Sequence, residues 1–250
     1  MSVIPFTSAR CRPGPQAHSE ICARCSVRQL SICAALPDDD IGQLEAIMRT
    51  RTIAPGDRLI EEGAPRRHVF TLTSGMLRLS SDLPDGRRQI GDFLLPGDYL
   101  GLADDKIYAQ TAEAVMPSTL CSFAVKDMEA LMASSPALRD RLYALTRRAL
   151  QEARESQMML GRLAPVEKLA SFLLLLTRRL QRHGQPHNPL ALSMSRTDIA
   201  DHLGLTIETV SRSFTKLKIQ GLIALPEAHL VDIRDRNGLI AVAGLSIDED

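Results

Sequence analysis

The sequence has no excess of charge of either sign, since its 30 lysines and arginines are matched by 30 aspartates and glutamates. A basic field spread over the whole chain, which often marks nucleic-acid-binding proteins, is therefore lacking. Any contact with a polyanion has to come from a local surface. At 44% hydrophobic and 24% charged residues, the composition is that of a folded globular chain rather than a disordered one.

Long hydrophobic runs are also lacking. The longest apolar stretch, residues 169–176, is far shorter than the roughly 20 residues that a bilayer span needs. The first ten residues do not combine a basic start with the apolar run of a secretory signal. We therefore expect a cytoplasmic protein with no membrane partner. Its cysteines then stay reduced, and clustered thiols favour metal ligation over disulfides.

The usual sequence marks of an enzyme are missing. There is no Gly-rich dinucleotide loop, no Ser/His/Asp or Cys/His grouping and no second cluster motif, and the six histidines are scattered. These absences argue against the alternative of an electron-transfer protein or a cluster-dependent enzyme. We predict that the protein is not an enzyme.

The chain is predicted to have an α+β fold organised in four regions. These are a cysteine-rich arm at residues 1–35, an antiparallel β-roll at 36–132, a dimerisation helix at 133–163 and a winged helix-turn-helix at 164–250. The roll is predicted because short β-type runs alternate with turn signals such as Pro55-Gly56-Asp57 and Pro96-Gly97-Asp98. Strands spaced by about ten residues are typical of small barrels and rolls.

The region after the roll changes to helical periodicity, with one apolar seam. The seam residues, spaced 4-3-4, are Leu138, Leu142, Leu145 and Ala149. Such a seam fits either a helix packed on its own barrel or a two-stranded coiled coil that dimerises the protein. We take the coiled coil as the prediction. Charged residues on the same helix are then expected to repel their symmetry mates, and the candidates are Arg141, Arg147, Arg148, Glu152 and Glu155.

The C-terminal region contains the pattern of a helix-turn-helix. Ser195 and Asp198 form an N-terminal capping arrangement for a first helix that ends near Leu203. Gly204 supplies the permissive backbone of a tight turn. Thr206 is expected to cap a second helix over residues 207–220, and two short strands, 222–225 and 229–234, complete a winged motif.

The outer face of the second helix has the chemistry of a base reader. Arg212 can donate two hydrogen bonds to guanine, Glu208 can accept from cytosine, and Ser211 can contact a base or a phosphate. The other predicted DNA contacts, mainly to phosphates, are Arg196, Thr206, Thr209, Lys216 and Lys218.

Four of the five cysteines form a plausible ligand set. Cys22, Cys25 and Cys33 have the spacing C-x2-C-x7-C, and Cys121 lies far along the chain in the predicted roll. Four thiolates suit tetrahedral zinc and iron–sulfur clusters alike, so the ligand count does not separate the two. Cys11 stands apart from the group and is predicted not to be a ligand.

From about Cys22 to Gly238 the sequence resembles the cyclic AMP receptor protein and FNR superfamily. The most specific match is Glu208-Thr-Val-Ser211-Arg212, which is similar to the FNR-type recognition helix. The resemblance implies a homodimer that binds palindromic double-stranded DNA of the form TTGAT, four bases, ATCAA. It also implies a contact with RNA polymerase, since the turn at residues 83–87 resembles a family surface with that role, although these turn residues equally suit a plain hairpin.

FNR-type regulators hold an oxygen-labile 4Fe-4S cluster on an N-terminal cysteine group plus one cysteine of the roll, and the spacing here looks like the FnrL and FnrN branch. The resemblance thus implies a cluster bound by Cys22, Cys25, Cys33 and Cys121. It further implies an oxygen-responsive regulator of anaerobic and microaerobic genes, dimeric while the cluster is intact. The alternative is a structural zinc site or redox thiols with constitutive dimerisation.

Many members of the superfamily bind a cyclic nucleotide in the roll through an Arg-Ser pair. Here that pair is replaced by something like Ala109-Gln110-Thr111, and Asp104 and Asp105 lie close by. A phosphate would meet repulsion instead of a set of donors. We predict that no cyclic nucleotide binds.

Overall fold

The computed structural model describes residues 22, 25–37, 40–101 and 104–244 of the 250-residue chain. It divides into two compact units, an N-terminal unit of residues 1–81 and 92–149 and a C-terminal unit of residues 82–91 and 150–250. Cys11 lies outside the described residues. Among the helices described, none is both long enough and apolar enough to cross a membrane.

The N-terminal unit is built on eight strands that follow a 3₁₀ helix at Ile32–Ala35 and helix α1 at Ile41–Ile47. The strands are β1 Met48–Ile53, β2 Arg58–Ile60, β3 His68–Ser74, β4 Leu77–Asp82, β5 Arg88–Leu94, β6 Tyr99–Leu100, β7 Thr111–Ala114 and β8 Ser118–Ala124. They form two antiparallel sheets, in the orders β1-β8-β3-β6 and β2-β7-β4-β5. The predicted roll is confirmed.

Strand alternation gives this unit two separate cores. Phe70, Leu72 and Leu120 point into the roll, where they pack with apolar residues of the second sheet. The neighbouring positions Val69 and Phe123 face the opposite side, toward the 3₁₀ helix and the helices. Strand β3 is therefore buried on both faces. The second core also contains Cys22 and Cys33, and Cys121 packs against it.

Two helices follow the roll, α2 at Val125–Ser134 and the 27-residue α3 at Pro136–Arg162. Leu138 and Leu142 are fully buried in the second core of their own protomer, and Leu145 is partly buried against it. The prediction that these leucines form an exposed dimer seam is thus wrong for Leu138 and Leu142. The periodicity marked the face of α3 that packs on its own roll. Ala149 is exposed.

The C-terminal unit contains the remaining helices and a small sheet. Its elements are α4 Pro165–Arg182, β9 Leu190–Ala191, α5 Arg196–Leu203, α6 Ile207–Ile219, β10 Ile223–Glu227, β11 Leu230–Ile233 and α7 Arg236–Ala243. The sheet has the order β10-β11-β9. Residues 82–91, the tip of the β4–β5 hairpin, group with this unit. The two predicted reading helices and the wing are confirmed.

The turn between β3 and β4 depends on a glycine. Gly75 has φ +93°, and a Cβ added there would clash with Ser118 Oγ and would lie 2.6 Å from the Pro117 carbonyl oxygen. We expect Gly75→Ala to lower the free energy of unfolding by about 3 kcal/mol or more, since backbone strain and overpacking add. Urea unfolding measures it.

Gly86→Ala is the matched control for this substitution. Gly86 has a similar φ of +84°, but nothing lies within 4 Å of the added Cβ. In Gly86→Ala only the backbone strain remains, so the free energy of unfolding is expected to fall by about 1–2 kcal/mol. Equal losses in the two variants would show that the contact with Ser118 is unimportant.

Candidate nucleic-acid interface and cysteine site

The start of α5 is fixed by a reciprocal capping box. The Ser195 Oγ accepts the Asp198 backbone N–H at 3.0 Å, and the Asp198 carboxylate accepts the Ser195 N–H at 3.0 Å. The helix ends at Gly204, whose φ of 62° and ψ of 42° are left-handed. Both features agree with the sequence prediction. Local hydrogen bonds and the left-handed glycine thus determine where α5 begins and where the turn follows it.

Helix α6 separates an inner face from an outer one. Thr206 caps it, its hydroxyl accepting the Thr209 N–H at 3.2 Å. Val210, Phe214 and Leu217 are buried on the inner face. The predicted contact residues that α6 exposes to solvent are Glu208, Ser211, Arg212, Lys216 and Lys218, while Thr209 is half-buried.

Glu208 and Arg212 lie one helical turn apart on the outer face. The pKa of Glu208 is lowered by its own backbone N–H, by the Thr206 hydroxyl and, less strongly, by the Arg212 charge. The carboxylate therefore stays ionised beside the guanidinium. The outer face thus presents an acceptor and a cationic fork of donors together, which is the chemistry of base-edge recognition in a major groove.

Arg196 does not lie where the phosphate-contact prediction placed it. Its guanidinium stacks on the Phe214 ring, 3.4 Å from the centroid, and donates to the Ala228 carbonyl at 3.2 Å. Burial lowers the pKa of Arg196. The side chain therefore ties the turn before β11 to α6, and a phosphate contact would require it to leave both partners.

Sequence reasoning missed an ionic network in the C-terminal unit. Arg88 donates to Asp201 Oδ2 from Nε at 2.9 Å and from Nη2 at 2.7 Å, and Nη2 also donates to Asp198 Oδ1 at 2.9 Å. Nearby, Gln89 Nε2 donates to the His202 carbonyl at 3.2 Å. Three consecutive residues of the hairpin tip thus engage α5, since the buried His202 ring lies 3.1 Å from the Ile90 carbonyl oxygen.

We expect Arg88→Ala to destabilise the C-terminal unit by roughly 1–3 kcal/mol, because it leaves the buried Asp198 without its cationic partner. Urea unfolding followed by circular dichroism measures the loss. The control is Arg87→Ala, since Arg87 pairs only with Asp85 at the exposed tip and such pairs contribute about 0.5 kcal/mol. Similar losses in both variants would contradict the assigned role of Arg88.

The cysteines meet at the second core of the N-terminal unit. Cys22 and Cys33 are buried members of this core, and Cys121 packs against it from β8. Cys25 and Cys121 are half-buried. The arm and the roll therefore bring their thiols to one apolar region, as the spacing alone could not have shown.

Electrostatic coupling among the thiols supports this proximity. Burial raises the pKa of the Cys22 thiol, and Cys33, Glu45 and Cys121 raise it further. Burial also raises the pKa of the Cys33 thiol, an effect opposed by the Ser31 hydroxyl and increased by Cys25. Each of the four sulfurs is thus coupled to at least one other.

Whether the cysteine site can bind a metal or a cluster depends on its donor atoms and their surroundings. In the part of the chain that the structure describes, no group of three or more His, Cys, Asp or Glu side chains is arranged to hold a metal ion. The donor types nevertheless suit a thiophilic group, because Cys22, Cys33 and Cys121 share one apolar core and Cys25 is electrostatically coupled to Cys33. The residues present are compatible with zinc and with an iron–sulfur cluster.

Glu45 is a second residue that sequence reasoning missed. This buried carboxylate of α1 accepts the backbone N–H of Cys22 at 3.2 Å. It therefore fixes the start of the described arm against the roll. A glutamate in a short amphipathic helix gives no sequence signal of such a contact.

Tyr108 fills part of the roll interior, beside a cavity of about 320 Å³ that it lines together with Ile60 and Phe70. The buried Tyr108 hydroxyl donates to the His68 carbonyl at 2.8 Å and accepts the His68 N–H at 3.2 Å. Arg66 Nε donates to the Gly101 carbonyl at 2.7 Å, and Arg66 N–H donates to the Lys106 carbonyl at 2.9 Å. The segment that binds phosphate in cyclic-nucleotide rolls is thereby tied to the chain before β3.

Comparisons with known proteins agree with this architecture. Residues 50–135 match the family described as cyclic nucleotide-binding domain, and residues 167–242 match the Crp-like helix-turn-helix domain. The nitrogen fixation regulation protein FixK of Bradyrhizobium diazoefficiens is 37% identical over 211 residues, which are 84% of this chain and 88% of that protein.

Two further relatives extend the similarity. The transcriptional activator protein FnrL of Cereibacter sphaeroides is 33% identical over 227 residues, 89% of this chain and 92% of the relative. The solved structure of FixK2 from Bradyrhizobium japonicum has a TM-score of 0.75 at 32% identity, covering 80% of this chain and 99% of that one.

Proposed function

This chain belongs to the Crp/FNR family of transcription regulators, and from that premise we propose that it is an oxygen-responsive regulator, not an enzyme. It binds palindromic operators as a homodimer while Cys22, Cys25, Cys33 and Cys121 hold a 4Fe-4S cluster. The observation that carries the proposal is the packing of Cys22, Cys33 and Cys121 in one apolar core, with Cys25 coupled to Cys33, in a chain whose α6 exposes Glu208, Ser211 and Arg212. This activity places the protein in the cytoplasm.

The operator proposal comes from the exposed face of α6. Glu208, Ser211 and Arg212 stand in solvent on the helix that follows the turn, as direct readout of a half-site requires. The proposed site has the form TTGAT, four bases, ATCAA, and a two-fold dimer would read its half-sites about one helical turn apart. Lys216 and Lys218 supply positive charge for the flanking phosphates.

The proposed cluster would supply an oxygen-labile inorganic core bound only by thiolates. The chain's part is to bring Cys121 of β8 to the arm that carries the other three ligands. Two of the four thiols are buried, which limits the access of water and larger oxidants to the core. Loss of the core removes the cross-link between arm and roll, and we propose that the dimer then weakens.

The proposed subunit contact lies on the outer face of α3. Its exposed large apolar side chains are Tyr143 at 60%, Leu150 at 52% and Met158 at 63%. These residues recur every seven or eight positions, close to a heptad stripe. A second copy of α3 is the occupant that such a stripe fits.

Two acidic residues of α3 form ion pairs within the subunit. Glu155 accepts from Arg178 at 2.6 Å, and Glu152 lies 3.5 Å from Arg182. These pairs neutralise the two glutamates among the charges that we expected to repel their symmetry mates. The balance between monomer and dimer must then be set by other groups.

We propose that the roll has no cyclic-nucleotide effector. Tyr108 takes up part of the roll core, and Arg66 Nε donates to the Gly101 carbonyl in the segment that corresponds to the phosphate-binding one of cyclic-nucleotide rolls. For RNA polymerase, the proposed contact is the exposed turn at residues 83–87, where Leu83 is 42% exposed and Arg87 also faces solvent.

The test is one anaerobic preparation, assayed for iron, sulfide and zinc and then divided. Half is exposed to air, and both halves are examined by sedimentation and by anisotropy on the palindromic duplex. We expect the anaerobic protein to contain iron and sulfide in equal amounts and to be a brown dimer that binds the palindromic duplex tightly. After exposure to air, we expect weaker dimerisation and weaker binding to the duplex. A colourless zinc protein with unchanged dimerisation would favour the alternative of a structural metal site.

A further inference from the structure

Arg141 on α3 is bonded to the cysteine arm. Its Nε donates to the Ser31 carbonyl at 3.1 Å, and its Nη2 donates to the carbonyls of Leu30 at 2.8 Å and Gln29 at 3.3 Å. One guanidinium thus engages three consecutive carbonyls. These carbonyls lie in the segment between Cys25 and Cys33.

The segment is a turn whose end exposes aligned carbonyls. Its N–H groups bond backward, with Arg28 N–H donating to the Cys25 carbonyl and Ser31 N–H to the Val27 carbonyl. Carbonyls at the end of such a turn carry partial negative charge and attract a cation. Ser31 also accepts the Cys33 N–H through its hydroxyl at 3.3 Å, so the contact continues directly to a proposed ligand.

No carboxylate pairs with Arg141 among the residues that the structure describes. Burial lowers the pKa of Arg141, and the nearby Arg148 charge lowers it further. A half-buried guanidinium in that position depends on the arm's carbonyls for its hydrogen bonds. If the carbonyls move, Arg141 has to move as well.

We propose that Arg141 is the positioning residue that transmits the state of the cysteine site to α3. The inference rests on the proposed function. While a bound cluster fixes both Cys25 and Cys33, the carbonyls between these two cysteines stay aligned and hold Arg141. When the bound cluster is lost, these carbonyls are held by fewer contacts, and their hold on Arg141 weakens two residues before the exposed Tyr143, where the proposed subunit contact begins.

The test compares Arg141→Gln with Arg139→Gln. Arg139 lies on the same helix, is exposed and contacts only its neighbour Asp140 at 4.0 Å, so both variants lose one positive charge. The first measurement is the rate at which iodoacetamide alkylates Cys33 in reduced, metal-free protein. We expect at least a tenfold increase in Arg141→Gln and no change in Arg139→Gln.

The second measurement is the ratio of dimer dissociation constants between cluster-loaded and metal-free protein, by sedimentation. We expect this ratio to fall at least fivefold in Arg141→Gln, with iron content retained. Arg141→Lys keeps the charge but cannot engage three carbonyls, so its ratio should fall between those of wild type and Arg141→Gln. This variant replaces Arg141→Gln in the test if the glutamine variant does not fold. Unchanged alkylation or an unchanged ratio in a folded variant would overturn the inference.

The outcomes also separate this inference from the proposed function. If wild-type protein binds iron and its dimerisation responds to the cluster, but Arg141→Gln keeps the same response, only the role of Arg141 is lost. If wild-type protein binds no iron, the proposed function and the transmitting role are both lost. The alkylation rates then still show whether Arg141 anchors the arm.

Discussion

Cys33→Ser is expected to lose bound iron and sulfide together, along with the response of dimerisation to air. Cys33 is 8% exposed in the core that it shares with Cys22. A serine hydroxyl is close in size to the thiol but remains protonated at neutral pH and is a poor ligand for iron, which prefers thiolate. Three thiolates then remain where a cubane cluster needs four. The measurement is iron and sulfide per subunit after anaerobic reconstitution.

Cys11→Ser is the control for this result. It removes a thiol that sequence reasoning sets apart from the ligands, and it should reconstitute like the wild type. Thermal unfolding of the metal-free variants checks that Cys33→Ser is folded. A Cys33→Ser protein with normal iron content and an air-sensitive chromophore would exclude Cys33 as a ligand, and loss of the cluster in Cys11→Ser would assign that role to Cys11.

Arg212→Ala is expected to remove most of the preference for the palindromic site. Arg212 is exposed, so the stability of the fold should be unchanged. A bidentate contact with guanine contributes about 1–3 kcal/mol of discrimination, and a dimer loses two. The expected loss is therefore about 2–6 kcal/mol, or roughly 30-fold to 10⁴-fold in affinity for the specific duplex.

Lys216→Ala gives the contrasting control. Lys216 is exposed on the same helix and is assigned to phosphate, so its loss should weaken specific and nonspecific duplexes alike and reduce the salt dependence by about one charge per subunit. Anisotropy titrations over a range of salt concentrations distinguish the two patterns. A uniform loss for Arg212→Ala would place that residue on the backbone instead of on a base.

The reading motif was predictable because its signals are local. The capping pair Ser195 and Asp198, the left-handed Gly204 and the cap at Thr206 each act within a few residues of their own position. Short-range chemistry of this kind is visible in sequence. The order of helix, turn, helix and wing then follows with little help from tertiary packing.

The partners of long side chains were not predictable in this way. Helical spacing showed that Leu138 and Leu142 share an apolar face but not which surface covers it, and that surface proved to be the protomer's own core. Arg141 bonds to residues about 110 positions earlier in the chain, and Arg88 bonds to residues just over 110 positions later. Periodicity has no information about contacts at that range.

Helix α3 keeps its two apolar faces apart. The inner leucines are committed to the roll, while Tyr143, Leu150 and Met158 remain open to solvent. Substitutions on the outer face can therefore strengthen or weaken subunit pairing with little penalty for folding. Regulators with this arrangement can differ in the strength of subunit pairing while the packing of α3 on the roll hardly changes.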